Sequence, residues 1–212
     1  MSSVSPSENL LVKALLGNGR FRYKLARTIS HIGNPLMTGI MMMVLFLFKF
    51  NDPAYRTTLF IYAAIIILIP FTFFLFLYKK GIVTDIYIRR REERVWPTAG
   101  LTVGCILGFL HLWVDGQAPD LFILFAFIAS IQNVINLAIT TRWKVSLHAG
   151  CAASLATWGL ILYGAMAIPL VIFLMLVAWS RLYLKRHTPA QIIANIILGG
   201  VVPLVVVALV NL

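Results

Sequence analysis

Seven runs of apolar residues, parted by short polar or charged breaks, organise this chain: Pro35–Phe50, Thr57–Tyr78, Thr98–Val114, Pro119–Ile139, Val145–Tyr163, Met166–Leu184 and Gln191–Leu212. A helix that crosses a bilayer needs roughly 20 apolar residues, with a range of about 17–25. The pattern therefore predicts an all-α fold, a polytopic integral membrane bundle of six or seven transmembrane helices; the first run is short enough to be tilted or only interfacial. The bundle is expected to form a single domain over 35–212, preceded by a basic interfacial segment over 1–34. In that segment Leu10, Leu11, Ala14 and Leu15, with Lys13, Arg20, Arg22, Lys24 and Arg27, predict an amphipathic helix at a membrane surface. Gly17 to Gly19 is expected to divide it into two pieces. Pro35 suits a helix start, whereas Pro70, Pro169 and Pro203 fall inside runs and predict kinks.

Composition agrees with the pattern. Of 212 residues, 60% are hydrophobic and only 12% charged, which places the chain among membrane proteins and not soluble domains. Met1 to Glu8 is polar and the first long run starts late, without a small-residue cleavage signal, so no cleavable leader is expected. Cys105 and Cys151 fall within runs and are expected as buried small hydrophobes, not as a disulfide. No cluster with metal-ligand spacing is visible and no cofactor is implied.

A formal charge of +11 would point to nucleic acid in a soluble protein, but here its distribution carries the information. With seven crossings, sixteen of the 18 Lys and Arg residues fall on one side, leaving Lys49 and Arg56 on the other. By the positive-inside rule the basic side is cytoplasmic, in the cell inner (cytoplasmic) membrane. If Pro35–Phe50 does not cross, the split is 11 against 7. The expected partners are the bilayer and a lipid substrate, with no nucleic acid and a homo-oligomer left open. The spans show no inverted repeat and the charges gather at one face, so a pathway across the bilayer is the poorer reading.

The chemistry concentrates in Ser180 to Gln191, at the junction of two long apolar runs. Titratable side chains at such a boundary are costly and commonly line a site. Arg181 offers a planar fork of donors to phosphate oxygens, and His187 can attack phosphorus or move a proton. Ser180-Arg181, five residues, then His187 resembles the third signature of the type 2 phosphatidic acid phosphatase superfamily, SRxxxxxHxxxD, with Gln191 where the family has Asp. Val145-Ser146-Leu147-His148 stands where the family has PSGH and keeps Ser and His. The first signature, KxxxxxxRP, is poorly matched: Arg94 and Pro97 loosely resemble its end, and Arg142-Trp143-Lys144 is a rival source of its cations.

The resemblance implies a membrane lipid phosphatase. His187 would be the nucleophile, giving a phosphohistidine, and His148 would protonate the leaving oxygen. Arg181, Lys144 and one of Arg94 or Arg142 would cradle the phosphoryl oxygens, with Ser146 donating a hydroxyl hydrogen bond. The family aspartate orients and charges the nucleophilic imidazole; Gln191 can accept the same hydrogen bond but carries no charge. Asp85 or Glu93, in the polar stretch Tyr78–Arg94, would then be candidate counter-charges. The substrate would be a phosphorylated lipid or prenyl (di)phosphate reached from the cytoplasmic leaflet. A phosphoryl or head-group transferase, a prenyl-diphosphate-processing enzyme and a non-catalytic lipid-binding relative remain alternatives on the same fold.

Overall fold

The computed structural model describes the backbone of residues 6–85, 88 and 92–210, with side chains from Gly19 onward. The described residues are helical, joined by short connections: α1 (Pro6–Ile32), α2 (Pro35–Lys49), α3 (Pro53–Lys79), α4 (Val95–Asp115), α5 (Asp120–Thr140), α6 (Leu147–Tyr163), α7 (Ile168–Tyr183), α8 (Pro189–Ile196) and α9 (Val202–Val210). Among the described residues, five helical stretches are long and apolar enough to cross a membrane, and the bent pair Gly19–Ile32 and Pro35–Lys49, whose halves meet at 55°, makes six where the pair is counted as one span. Helices of this kind suggest a multi-pass membrane protein.

Local chemistry explains the boundaries. Pro35 and Pro53 open α2 and α3, where a missing N–H costs nothing, and the side chains of Asn34 and Asp52 accept bonds from Met37 N and Ala54 N. The stretch 147–183 turns back on itself at Gly164, whose φ of +59° suits glycine. The two arms, α6 and α7, pack so closely that a Cβ on Gly159 would lie 2.5 Å from Leu170 Cδ1.

Two expectations need correction. Gly17 and Gly19 do not divide the N-terminal segment, because α1 runs through both. A glycine inside a helix costs only about 1 kcal/mol relative to alanine, less than the neighbouring residues gain by continuing it. Pro169 does not kink a helix; it stands in the first turn of α7, where proline is accommodated. Pro203 does disturb its helix. A five-residue π-helical turn, Ile197–Val201, separates α8 from α9 just before it. Within that turn the Leu198 carbonyl accepts from Gln132 Nε2 at 2.6 Å, tying α5 to the irregular backbone. Gly199 lies so near the Gly150 carbonyl that a Cβ there would overlap its oxygen.

The two ends of the bundle are built differently. Away from the α6 N-terminus, Phe46, Tyr62, Phe122, Phe125 and Trp158 form one packed aromatic cluster, with Phe46 4.7 Å from both Phe122 and Phe125. At the other end polar residues are buried, Ser30, Ser146, Ser180, Arg181, His187 and Asn195, beside aliphatic Val145, Val177 and Ile192. Between them, α4 and α5 are joined by Ser130 Oγ donating to the Cys105 carbonyl and Thr102 Oγ1 to the Asn133 carbonyl. Cys105 and Cys151 are free thiols.

Candidate functional site

The C-terminus of α7 builds the centre of the polar end. Its last turn closes with Arg186 N donating to the Arg181 carbonyl and Lys185 N to the Leu182 carbonyl. Lys185 takes the left-handed conformation, φ +52°, that such a helix ending requires. The reversal carries His187 inward, leaving it 8% exposed although it lies in a connection. Thr188 then caps α8: its side chain accepts from Gln191 N, while Gln191 Oε1 accepts from Thr188 N at 3.2 Å.

That capping box sets the proton on His187. Gln191 Oε1 also lies 3.3 Å from His187 Nδ1, and the Lys144 carbonyl oxygen lies 3.4 Å from the same nitrogen. A backbone N–H can only donate, so the bond from Thr188 identifies the facing Gln191 atom as the oxygen. Both neighbours of Nδ1 are then acceptors, Nδ1 carries the hydrogen, and Nε2 keeps its lone pair. Burial first, then the charges of Arg181, Arg94 and Lys144, push the His187 pKa down to about 4, with the Gln191 bond opposing them. The imidazole is neutral at pH 7.

Four cations converge here. Arg94, Arg181 and Lys144 act directly on His187, and Arg186 acts on Lys144, whose pKa is lowered by burial and then by Arg94, Arg181 and Arg186. Arg181 reaches back across the bundle, its Nη1 donating to Ser30 Oγ at 2.6 Å, while its Nε is buried without a partner. Arg94 Nε donates to the Ile88 carbonyl at 2.8 Å. His148, in the first turn of α6, is within electrostatic reach of Arg181, His187, Arg94 and His31. Ser146 caps α6 from a fully buried position; its N–H donates to the Gln191 carbonyl at 3.3 Å and its Oγ has no partner. An open depression of ≈ 490 Å³, lined by Lys144, Lys185, Arg186, His187, Thr188 and Gln191 among others, leads to this cluster.

The structure thus brings together His187, His148, Gln191, Arg181, Ser146, Lys144 and Arg94. The two rival sources of cations both contribute, Arg94 from before α4 and Lys144 from before α6. Arg142 is exposed on the turn after α5 and is not among the groups acting on His187. The two oxygens of Glu93 accept from Thr84 N at 2.9 Å and Thr84 Oγ1 at 2.8 Å. Asp85 is half-buried in the same connection, and no carboxylate of the described residues is among the groups acting on His187.

Ser30, His31 and Arg186 join the site without having been expected there. Arg186 adjoins His187 in sequence and was open to notice; nothing local marks Ser30. A second, apolar depression of ≈ 560 Å³ between α3 and α4 includes His111. There His111 Nε2 meets Thr58 Oγ1 at 3.3 Å, a bond that joins the two helices far from the cationic cluster. Comparison with protein-family models, with curated proteins and with solved structures finds no match.

Proposed function

We propose that this chain is an integral membrane phosphatase of lipid phosphates, a divergent member of the type 2 phosphatidic acid phosphatase superfamily working through a phosphohistidine. The observation that carries the reading is the setting of His187. Its Nδ1 hydrogen is held by two carbonyl oxygens, and its unprotonated Nε2 sits among cations suited to a phosphoryl group.

In this mechanism the phosphoryl group lies between Arg181, Arg94 and Lys144, and the partnerless Ser146 Oγ and Arg181 Nε are free to donate to its oxygens. The bound phosphate dianion offsets the cations around it and His148 takes up a proton with the substrate; His187 Nε2 then attacks phosphorus, the bond from phosphorus to the lipid oxygen breaks, and His148 gives that oxygen its proton. Water then attacks the phosphohistidine, His148 takes the proton from the water, and the P–N bond breaks to release inorganic phosphate. A lipid tail would leave the open depression between helices. The excess of Lys and Arg on this side supports a site at the cytoplasmic face of the cell inner membrane.

The test is phosphate release from a panel of lipid monophosphates and diphosphates by purified protein in detergent, wild type beside His187→Ala. The expected result is release that vanishes in the variant, with an acid-labile phosphoprotein recovered from wild type denatured during turnover and absent from His187→Ala. Release undiminished in His187→Ala, or none from either protein across the panel, would overturn the reading.

A further inference from the structure

The Gly19–Ile32 half of α1 carries three rows of side chains, one buried against the bundle and two exposed. The buried row is Ala26 and Ser30, continued by Gly33, and it faces α7. Ser30 holds Arg181, Tyr183 Oη donates to the Gly19 carbonyl at 3.5 Å, and a Cβ on Gly33 would lie 2.5 Å from Val177 Cγ2. These contacts fix the rotation of the helix about its axis, so the remaining faces have a defined direction.

At 3.6 residues per turn eight of the other positions form two lines about 100° apart, while Arg22, Tyr23 and Ile29 flank the buried row. Arg20, Lys24, Arg27 and His31 form one; Phe21, Leu25, Thr28 and Ile32 form the other. All eight are exposed, including Phe21 at 66%. No acidic residue occurs between Gly19 and Ile32. A helix with an apolar row beside a purely cationic row, bent 55° from the apolar helix it leads into, matches one chemical setting. Its apolar row enters the acyl boundary of a bilayer and its cationic row meets phosphate head groups.

We propose that this half of α1 is a docking surface for an anionic bilayer leaflet. The occupant is negatively charged phospholipid, held by Arg20, Lys24 and Arg27. The surface adjoins the cationic cluster, because Ser30, next to His31 at its end, holds Arg181 at 2.6 Å. Anionic head groups therefore gather beside the mouth of the site whichever reaction occurs there, and the inference stands apart from the phosphatase reading.

The test is native mass spectrometry of the full-length protein released from detergent containing equal amounts of dioleoyl-phosphatidylglycerol and dioleoyl-phosphatidylcholine. Wild type is expected to retain the anionic lipid preferentially. At roughly tenfold in affinity for one or two head-group contacts, Arg20→Gln/Lys24→Gln/Arg27→Gln is expected to lose most of that preference. An unchanged preference in the triple variant would overturn the proposal. A second measurement covers a variant that fails to fold: bimane attached at Phe21→Cys in phosphatidylglycerol vesicles, with labelled wild type as the blank. Quenching by an acyl-chain nitroxide and protection from iodide are expected; full access to iodide would overturn the proposal.

Discussion

Gln191 and His187 are joined through one oxygen that serves two donors. Gln191 Oε1 takes the Thr188 N–H of its own capping box at 3.2 Å and faces His187 Nδ1 at 3.3 Å. The same amide that starts α8 thereby selects the tautomer of the candidate nucleophile. The neutral amide orients the ring without adding the negative charge that would raise its basicity.

Gln191→Glu keeps the oxygen at the same reach and adds that charge. An opposite charge at this distance raises a histidine pKa by about 1–3 units, so the acid limb of the pH–rate profile is expected to move up by that amount from near pH 4. Gln191→Leu removes the acceptor and leaves only the Lys144 carbonyl. It is expected to lower kcat substantially, with the loss of about 10⁴ seen on upsetting a triad tautomer as an upper bound. An acid limb that stays in place in Gln191→Glu would show that Gln191 does not govern His187.

The depressed His187 pKa also predicts how stability follows pH. The folded value of about 4 lies below the ordinary 6.5. Between them the unfolded chain takes up a proton that the folded chain refuses, so stability rises with pH through this window. The penalty is absent above pH 6.5, grows as pH falls, and is complete below pH 4. His187→Gln cannot titrate, so melting curves in detergent between pH 4.5 and 7 are expected to be flatter for the variant. Parallel curves would contradict the buried, neutral imidazole.

Ser30 and Arg181 offer a test of long-range positioning. Ser30→Ala leaves a buried guanidinium N–H without its acceptor, an omission that costs roughly 1–3 kcal/mol. If the loss falls on the placement of Arg181, kcat/KM should drop by about tenfold or more while His187 chemistry, read from the acid limb, stays unchanged. Ser30→Thr keeps the hydroxyl and is expected to restore most of the activity. Equal effects of Ala and Thr would indicate packing rather than the hydrogen bond.

Much of the fold was legible because helices of this type announce themselves as apolar runs; α3 to α7 lie within a few residues of the runs that predicted them. The His187 end of the site was legible for a local reason: Arg181, His187 and Gln191 sit on one helix ending and the helix start that follows. What could not be seen depends on contacts across the bundle. Ser30 meets Arg181 from 151 positions away, and no periodicity signals that pairing. The choice between Arg94 and Lys144 also had no local answer, since both converge only after α4, α6 and α7 are placed side by side. The orientation of Glu93 toward Thr84 is a tertiary detail of the same kind.

Lys185 occupies a position where only glycine is at ease. The left-handed conformation costs an ordinary residue roughly 1–2 kcal/mol, part of which glycine returns through its greater freedom when unfolded. Lys185→Gly is expected to raise stability by up to about 1 kcal/mol, read as a higher Tm, with His187 still buried. A lower Tm would mean that the lysine side chain contributes more than the strain removes.

The uneven construction of the bundle sets where it yields first. Interlocked rings at one end leave no small displacement that does not cost contact, whereas the opposite end combines a few aliphatic contacts with individual polar links, each of which can exchange for water. Opening should therefore begin around Ser30, Ser146 and Gln191 and stop short of Phe46 and Trp158. Amide exchange would then divide the chain into a fast tier and a slow one, and the reactive end could breathe to admit a bulky amphiphile without loosening the scaffold that aligns its helices.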